Sequence, residues 1–271
     1  MSDDVAALER AEIEASVDLC RSAAPEIVEQ TGIAVRELDD GIVLAATRLD
    51  VLALNRAVGV GLGGRPSDAA LKQMVEAFES VGSPRFFVQV PPTAGTSDLG
   101  PRLEELGIRH FNNWMRLRRD LEDLPEARPS SVVVRQIGPE AADTFSGIVA
   151  AAFGYPPTIA PLTGCVIGRA GWRHYMAFED EEPIGTAAML IEGEAAWFGF
   201  AATAAEHRGR GAQTALVVRR LQDAAREGCK WVSVETAEQT PEREAPSFRN
   251  LSRLGFSVAY TRPNYLWLRE G

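Results

Sequence analysis

Two glycines and two arginines alternate near the start of residues 206–221, which read EHRGRGAQTALVVRRL. The first amides of a helix have no partners within it, and the helix dipole makes that end positive. Glycines at 209 and 211 let the backbone approach an anion closely, because no Cβ stands in the way. Arg208 and Arg210 add the positive charge that favours a phosphate or diphosphate. The stretch therefore predicts an anion-binding helix start, and the basic start of an ordinary amphipathic helix is the alternative.

Known phosphate motifs do not fit the stretch. The Gly-Lys-Ser/Thr ending of a Walker loop is missing, and Gly211 is followed by Ala212, Gln213 and Thr214 rather than by the spacing of a dinucleotide fingerprint. The surrounding elements must therefore decide its chemistry.

A strand, a helix and further elements surround this stretch in a fixed order. Residues 194–203 predict a strand, and the helix that begins near 212 runs to about Gly228. Beyond it the pattern predicts a strand at 230–236, a helix at 247–255, and a strand pair or one bent strand at 256–268.

The rest of the chain alternates helices and strands in the same way. Before residue 121 we predict a helix at 3–24, strands at 41–49 and 52–63, a helix at 66–82 that Ser67 or Asp68 caps and Gly82 ends, a strand at 84–91, a helix at 99–107, and a strand or hairpin at 108–120. Between 131 and 192 we predict a strand at 131–137, a helix at 138–154, a proline-broken loop at 155–164, and strands at 172–179 and 183–192. Residues 121–131 are polar, carry two prolines and end in serines, so they are the best linker candidate. The predicted domains are therefore 1–125 and 131–271.

The two halves repeat each other. Leu106-Gly107 corresponds to Leu254-Gly255, and Asn113-Trp114 corresponds to Asn264-Tyr265. This order of matched elements favours an internal duplication. The alternative is that a Leu-Gly-apolar turn is simply a common way to end a helix.

Composition excludes several kinds of partner and site. The net charge of −10 opposes binding of the surface as a whole to nucleic acid or to an anionic membrane. The three scattered cysteines offer no zinc-ligand spacing, so we expect no metal. The acidic N-terminus lacks the apolar core of a signal peptide, and no run reaches the ~20 apolar residues of a membrane span. We expect a soluble, cytoplasmic protein, and the near absence of lysine suggests a GC-rich bacterial genome.

The region 131–271 resembles the GNAT superfamily of N-acetyltransferases, whose signature Arg/Gln-x-x-Gly-x-Gly/Ala lies between a strand and a long helix. Arg208 and Gly211 match its first two fixed positions, whereas Gln213 stands where the last Gly or Ala belongs. The resemblance implies an α/β (α+β) fold of two GNAT-like domains, each a mixed, mostly antiparallel twisted sheet flanked by helices. The first domain, 1–125, which resembles the fold around residues 41–119, would be a degenerate copy whose matching loop, GVGLGGRPSDAALKQ, has no basic pair.

The resemblance also implies a cosubstrate, acetyl-CoA, and the residues that hold it. Its pantetheine arm would pair with the strand before the loop, its diphosphate would lie on the loop amides, and the later helix would contact the arm. The implied cofactor-binding residues are Phe200, Ala201, Ala202, Thr203, Arg208, Gly209, Arg210, Gly211, Ala212, Gln213, Ser247 and Asn250. For Asn250, a solvent-facing or capping amide is the alternative.

Acetyl transfer needs a neutral amine and a proton donor for the leaving thiolate. Many relatives place a tyrosine just before the Leu-Gly-Phe turn, where this chain has Leu251. The substitutes are Tyr155, Tyr260 and Tyr265, each of which is equally an ordinary core or edge aromatic; we assign Tyr265. Glu235, at the end of its strand, is the candidate base.

The two histidines near these elements are not candidates for the base. We expect His174 to be a satisfied structural histidine, and we expect His207 to face solvent or the phosphates.

The function that follows is transfer of an acetyl group from acetyl-CoA to a primary amine of a small molecule or peptide. The alternatives are a non-catalytic acyl-CoA-binding or scaffold protein and, less favoured, a nucleotide-phosphate binder of another fold. We expect no nucleic-acid or membrane partner. A homodimer is compatible with the sequence, which leaves the oligomeric state open.

Overall fold

The computed structural model of the chain describes residues 2–38, 41–126 and 131–269. Its helices are α1 (Ser2–Arg21), α2 (Pro25–Thr31), α3 (Asp68–Ser80), α4 (Leu99–Glu105), α5 (Ala142–Phe153), α6 (Ala160–Gly164), α7 (Ala212–Arg226) and α8 (Pro246–Arg253). Its strands are β1 (Ile33–Glu37), β2 (Ile42–Ala46), β3 (Arg56–Val58), β4 (Arg85–Gln89), β5 (Arg109–Asp120), β6 (Val133–Ile137), β7 (Trp172–Glu179), β8 (Glu182–Glu192), β9 (Ala195–Thr203), β10 (Trp231–Ala237) and β11 (Ser257–Leu268).

The chain divides into two compact units. The first unit contains residues 1–116 and 259–271, and the second contains residues 117–258. The divisions fall inside β5 and β11. The sequence-based domains, 1–125 and 131–271, stay a prediction, and residues 127–130 of the linker candidate lie outside the described residues.

The first unit has a mixed sheet in the order β1-β2-β3-β4-β11-β5. Strands β3 and β4 run parallel and α3 connects them, whereas the pairs β1–β2, β2–β3 and β4–β11 are antiparallel. An apolar core covers one face, where the rings of Phe78 and Phe86 stack at 3.8 Å and those of Phe86 and Trp267 at 5.0 Å. Burial of such rings is the dominant favourable contribution to folding.

A buried ionic cluster joins α1 to the same sheet. The carboxylate of Glu12 lies 2.6 Å from Arg56 Nη1, 2.6 Å from Arg262 Nη1 and 3.0 Å from Arg116 Nη1. Burial raises the pKa of this carboxyl, but the three guanidinium groups outweigh burial and hold the pKa well below its ordinary value. Glu12 is therefore ionised in the folded chain, and its charge ties α1 to three strands.

The second unit has a sheet whose strands run in the order β10-β9-β8-β7-β6, with β9 and β10 parallel and the other pairs antiparallel. Helices cover both faces. Tyr175 Oη donates a hydrogen bond to Asp223 of α7 at 2.8 Å. The ring of the preceding residue, His174, contacts the ring of Phe145 on α5, with the two ring centroids 5.1 Å apart. Because successive strand residues point to opposite faces, α7 and α5 lie on opposite sides of the sheet. Mixed, mostly antiparallel sheets flanked by helices confirm the predicted α/β (α+β) class.

Several local predictions are confirmed. Ser67 caps α3, since its hydroxyl accepts a hydrogen bond from the amide of Ala70 at 3.1 Å, and Gly82 follows the helix with a φ of +76°. The strand-or-hairpin at 108–120 is one strand, and so is the segment at 256–268. Across the described ranges, no helix combines the length and apolarity that spanning a bilayer requires.

Two local predictions are wrong, and one pair of elements was missed. The expected strand at 52–63 holds only the short β3, because a 3-10 turn precedes it and Gly59 and Gly61 follow with positive φ. The expected loop at 155–164 contains a 3-10 turn and α6, because proline fits the first turn of a helix. Helix α2 and strand β1 were not predicted, although Pro25 at the first helical position and Gly32 after the end are the usual signals.

Candidate functional site

The predicted anion-binding loop lies between β9 and α7. Gly209 and Gly211 have φ angles of +80° and +91°, which side chains rarely adopt. No side chain caps α7 at Gly211, and the first intrahelical hydrogen bond runs from the amide of Ala215 to the oxygen of Gly211 at 3.0 Å. The amides of the first turn are therefore available to an anion at the positive end of the helix dipole.

The two arginines of the loop differ in their environments. Arg210 Nη1 lies 2.6 Å from Glu179 Oε2 on the β7–β8 hairpin, and this hydrogen bond lowers the pKa of Glu179. Arg208 is exposed and makes no ion pair with any residue that the structure describes. Arg208 is therefore the better placed of the two to meet an anion.

Three of the predicted cofactor-binding residues contact each other. Gln213 Nε2 donates to Ser247 Oγ at 3.1 Å, and Asn250 Nδ2 donates to Gln213 Oε1 at 3.1 Å. Thr214 Oγ1 also donates to Asn250 Oδ1 at 3.0 Å. The off-pattern Gln213 thus has a structural role, because its amide joins the start of α7 to α8.

Strands β9 and β10 separate just before the loop. Their parallel pairing runs from Ala195 with Trp231 to Phe198 with Val234 and then stops. Residues 199–203 of β9 remain paired with β8 on the other edge, up to Thr203 opposite Gly185. The β10-side edge of 199–203, which contains Ala201 and Ala202, therefore presents main-chain groups to which an extended ligand can pair.

A bulge at Phe200 interrupts β9 at the point of separation. Phe200 has a φ of +49°, and the register with β8 shifts between Thr186 and Ala188. Thr186 Oγ1 donates to the oxygen of Phe200 at 3.1 Å, which fixes the bulge. A non-glycine residue in this region stores about 1–3 kcal/mol of strain, and such strain concentrates at functional sites.

Three aromatic rings meet at this bulge. The centroids of Trp172 and Phe200 are 6.0 Å apart, those of Trp197 and Phe200 6.0 Å, and those of Trp172 and Trp197 6.2 Å. A Cβ at Gly199 would lie 2.0 Å from the Trp197 ring, so only glycine fits beneath the indole. The second unit thus carries an aromatic surface beside the separated strands.

The two catalytic candidates lie in different units. Glu235 is half-buried and directly follows Val234, the last residue of β10 that pairs with β9. Tyr265 belongs to the first unit, where its hydroxyl is 2.3 Å from the position of a Cβ on Gly100. Burial and the charge of Glu104 raise the pKa of Tyr265. Both assignments stay predictions.

The other candidate acids are held by local contacts. Tyr260 Oη donates to buried Glu9 within the first unit, and burial raises the pKa of Tyr260. Tyr155 stacks on Phe153 at 5.4 Å in the second unit. At the position where relatives carry a tyrosine, Leu251 is only 3% exposed and has no proton to give.

Both histidine expectations are wrong. His207 is buried, with Nδ1 3.8 Å from Glu179 and Nε2 3.5 Å from Glu182, so it faces the hairpin carboxylates rather than solvent. His174 is only 1% exposed, and neither ring nitrogen has a hydrogen-bond partner among the described residues. Burial lowers the pKa of His174 to about 4. The sequence does not indicate that the ring nitrogens lack partners, because the rings that contact His174 are those of Phe145 on α5 and Trp172 on β7.

The corresponding loop of the first unit packs against a neighbouring segment of its own chain. Thr93 Oγ1 donates to the oxygen of Gly61 at 2.9 Å, and a Cβ on Gly95 would lie 2.5 Å from the backbone of Gly64. Ser67 caps the helix that follows. The start of α3 therefore has a side-chain cap on the amide of Ala70, whereas the start of α7 has none. Nowhere in 2–38, 41–126 or 131–269 do three or more His, Cys, Asp or Glu side chains gather as metal ligands would.

Comparison with models of protein families gives a match within the second unit. Residues 146–251 match the model of the acetyltransferase (GNAT) family. No curated protein matches the chain significantly.

Solved structures share the fold along most of the chain. A GCN5-related N-acetyltransferase from Kribbella flavida is 18% identical, with 98% of this chain and 96% of that chain covered and a TM-score of 0.66. A GCN5-related N-acetyltransferase from Sphaerobacter thermophilus is 19% identical, with 100% and 95% covered and a TM-score of 0.63. A tandem GNAT protein from the clavulanic acid biosynthesis pathway is 18% identical, with 80% and 75% covered and a TM-score of 0.55. At these identities the similarity establishes the fold alone.

Proposed function

We propose that the second unit binds acetyl-CoA and transfers the acetyl group to a primary amine of a small molecule or peptide. The observation that carries this proposal is the open edge of β9 leading directly into the uncapped start of α7. An edge that can pair with an amide-bearing chain, followed by an anion site, suits the pantetheine arm and diphosphate of one ligand. The match of residues 146–251 to the acetyltransferase family supports the same ligand.

The residues of the loop would divide the binding between them. The backbone of 199–203 would pair with the two amides of the pantetheine arm. The amides between Arg208 and Gln213 would hold the diphosphate, and the Arg208 guanidinium would add a charge-assisted contact. Ser247 and Asn250 would act mainly by fixing the start of α7 through Gln213.

The transfer step would need one proton acceptor. The attacking amine must be neutral, and Glu235 is the carboxylate at the point where the strands separate. We assign it as the base that accepts the amine proton, directly or through water. With Leu251 at the position of the usual acid, the leaving thiolate would take its proton from Tyr265, the predicted acid, or from solvent.

The first unit would be a GNAT-like copy without a cosubstrate. It repeats the order of hairpin, strand, glycine loop, helix and parallel strand found in the second unit. Its glycine loop packs against the segment that contains Thr93 and Gly95, and Ser67 caps the helix that follows. We therefore expect one acetyl-CoA per chain.

A second function is favoured by one observation. Buried Leu251 replaces the usual acid, which suits a non-catalytic acyl-CoA-binding or scaffold protein. Release of free CoA thiol over a broad amine panel separates the two. Tight acetyl-CoA binding without release by any amine would favour the second function.

Calorimetric titration tests the cosubstrate itself. Saturable binding of acetyl-CoA to the full chain, competed by CoA but not by ATP, is the expected result. Competition by ATP would instead favour a nucleotide-phosphate binder, and absence of binding would overturn the proposal.

A further inference from the structure

Arg220 of α7 is a buried arginine without a counter-charge. It is 1% exposed, and none of the carboxylates that the structure describes forms an ion pair with it. Burial lowers the pKa of Arg220 to about 9, so the guanidinium still carries its charge at neutral pH. A buried charge is costly to the fold when no opposite charge offsets it. The groups around Arg220 must therefore stabilise the guanidinium in place of a counter-charge.

The guanidinium of Arg220 contacts both strands that meet at the bulge in β9. Its Nη1 donates to the oxygen of Ala188 at 3.0 Å, and its Cζ lies 4.2 Å from the centroid of the Phe198 ring. Ala188 is the residue of β8 at which the register with β9 shifts, and Phe198 is the last residue of β9 that pairs with β10. Arg220 Nε donates to the oxygen of Leu216 in its own helix at 3.2 Å, which fixes the side chain. The charge therefore lies where β9 leaves β10.

The bulge at Phe200 needs such support. The φ of Phe200 is +49°, and a conformation of this kind persists only where the surrounding structure holds it. Thr186 Oγ1 donates to the oxygen of Phe200 at 3.1 Å. Thr186 lies on the face that α5 covers, because it is two positions from Ala188, the register partner of His174. Arg220 belongs to α7 and reaches the bulge from the opposite face, so the bulge is held from both faces of the sheet.

We infer that Arg220 is a positioning residue for acetyl-CoA. By holding the bulge, it keeps residues 199–203 of β9 away from β10 and presents their main-chain groups to the pantetheine arm. It acts through the backbone of β8 and β9 and touches no ligand. This inference rests on the proposed binding of acetyl-CoA.

Loss of the guanidinium changes the population of a backbone conformation. Without it, Phe200 is free to relax to ordinary strand geometry, and β9 is free to pair with β10 beyond Phe198. Acetyl-CoA then has to restore the bulge, so its apparent Kd rises by the inverse of the fraction of chains in which the bulge is formed. The ligand 3′-phospho-ADP, which is CoA without its pantetheine arm, uses the anion site before α7 and does not need the edge of β9.

Two neighbouring arginines give a matched pair of variants. Arg219 lies on the same helix but contacts Asp223 at 2.9 Å and the oxygen of Val134 on β6 at 3.1 Å, so Arg219→Met removes the same charge without touching the bulge. In Arg220→Met, calorimetry should show an acetyl-CoA Kd about 5- to 150-fold above that of wild type, the range that corresponds to the strain of one such residue. The Kd of 3′-phospho-ADP should stay within about twofold, and in Arg219→Met so should both Kd values.

The variant Arg220→Lys tests the inference even if Arg220→Met does not fold. Lysine keeps the positive charge and a donor for the oxygen of Ala188, but it lacks the planar group that also lies over the Phe198 ring. We expect its acetyl-CoA Kd to rise at least about threefold, with the Kd of 3′-phospho-ADP unchanged. Circular dichroism and Tm establish that each variant is folded.

The outcomes separate this inference from the proposed function. If folded Arg220→Met, or Arg220→Lys in its place, binds acetyl-CoA as wild type does, Arg220 only packs α7 on the sheet and the inference is overturned. If acetyl-CoA and 3′-phospho-ADP weaken equally, the anion site is disturbed rather than the edge of β9, and the inference is again overturned. In both cases the proposed function stands. If the wild-type chain binds no acetyl-CoA, both fail.

Discussion

Exchange of Gly211 for glutamate or glutamine isolates the charge at the start of α7. Gly211 occupies the N-cap position with a φ of +91° and ψ of 0°, so either side chain introduces left-handed strain of roughly 1–2 kcal/mol. The glutamate carboxylate recovers about 0.3–1 kcal/mol of that by its attraction to the helix N-terminus. The free energies of unfolding of Gly211→Glu and Gly211→Gln should therefore differ by less than about 1 kcal/mol, with glutamate no worse.

The affinity for acetyl-CoA should differ between the two variants in the opposite sense to their stability, with glutamate the weaker binder. A carboxylate about 5 Å from a diphosphate charge, at an effective dielectric constant between ~20 and ~80, is repelled by about 1–3 kcal/mol. Acetyl-CoA should therefore bind Gly211→Glu roughly 5- to 150-fold more weakly than Gly211→Gln. Calorimetry at about 0.05 M and 0.5 M salt measures the difference in acetyl-CoA affinity between the two variants, which should be smaller at the higher salt because the ions screen the repulsion. Equal affinities of the two variants at low salt would refute the placement of the diphosphate at this helix start.

Three further perturbations follow from buried groups and close contacts. Burial lowers the pKa of His174 to about 4, so protonating the ring should reduce the free energy of unfolding by about 3 kcal/mol as the pH falls from ~6.5 toward 4. Urea unfolding should show a smaller pH-dependent loss in His174→Phe, and parallel pH profiles of the two proteins would contradict this. Glu12→Gln should lower the free energy of unfolding by about 3–5 kcal/mol because three guanidinium groups lose their counter-charge. Because the pKa of Glu12 is lowered in the folded chain, the difference in free energy of unfolding between Glu12→Gln and wild type should be complete above pH ~5 and should narrow as the pH falls below ~4. A difference under about 1 kcal/mol at neutral pH would rule out Glu12 as the counter-charge of the three guanidinium groups. Gly199→Ala should lower the free energy of unfolding by about 1–3 kcal/mol, since its Cβ would lie 2.0 Å from the Trp197 ring, and wild-type stability would contradict that packing.

Features that depend on local chemistry could be predicted from the sequence. The positions of α3 and α7 follow from capping residues, glycines and helical spacing, as do Ser67 at one start and Gly211 at the other. The family resemblance implied that the cofactor arm pairs with the strand before the loop, and the pairing of this strand with β10 stops at Phe198. Ser247 and Asn250, predicted from the resemblance to bind the cofactor, contact Gln213 at the start of α7, and their cofactor contact stays a prediction.

Features that depend on distant parts of the chain could not be predicted. Glu12 and Arg262 are 250 positions apart, and no local pattern indicates that they form a buried pair. The ion pair between Arg210 and Glu179 depends likewise on how the β7–β8 hairpin folds back to the loop. For His174, residue type and strand position fit either a satisfied or an unsatisfied ring, and only the packing around it decides.

The most direct test of this account is calorimetric titration of acetyl-CoA into the full chain. One molecule should bind per chain, because the start of α7 has no side-chain cap whereas Ser67 caps the corresponding helix α3, whose loop has no basic pair. Binding should be competed by CoA and unaffected by ATP. Absence of binding, or two equivalent sites per chain, would contradict the account.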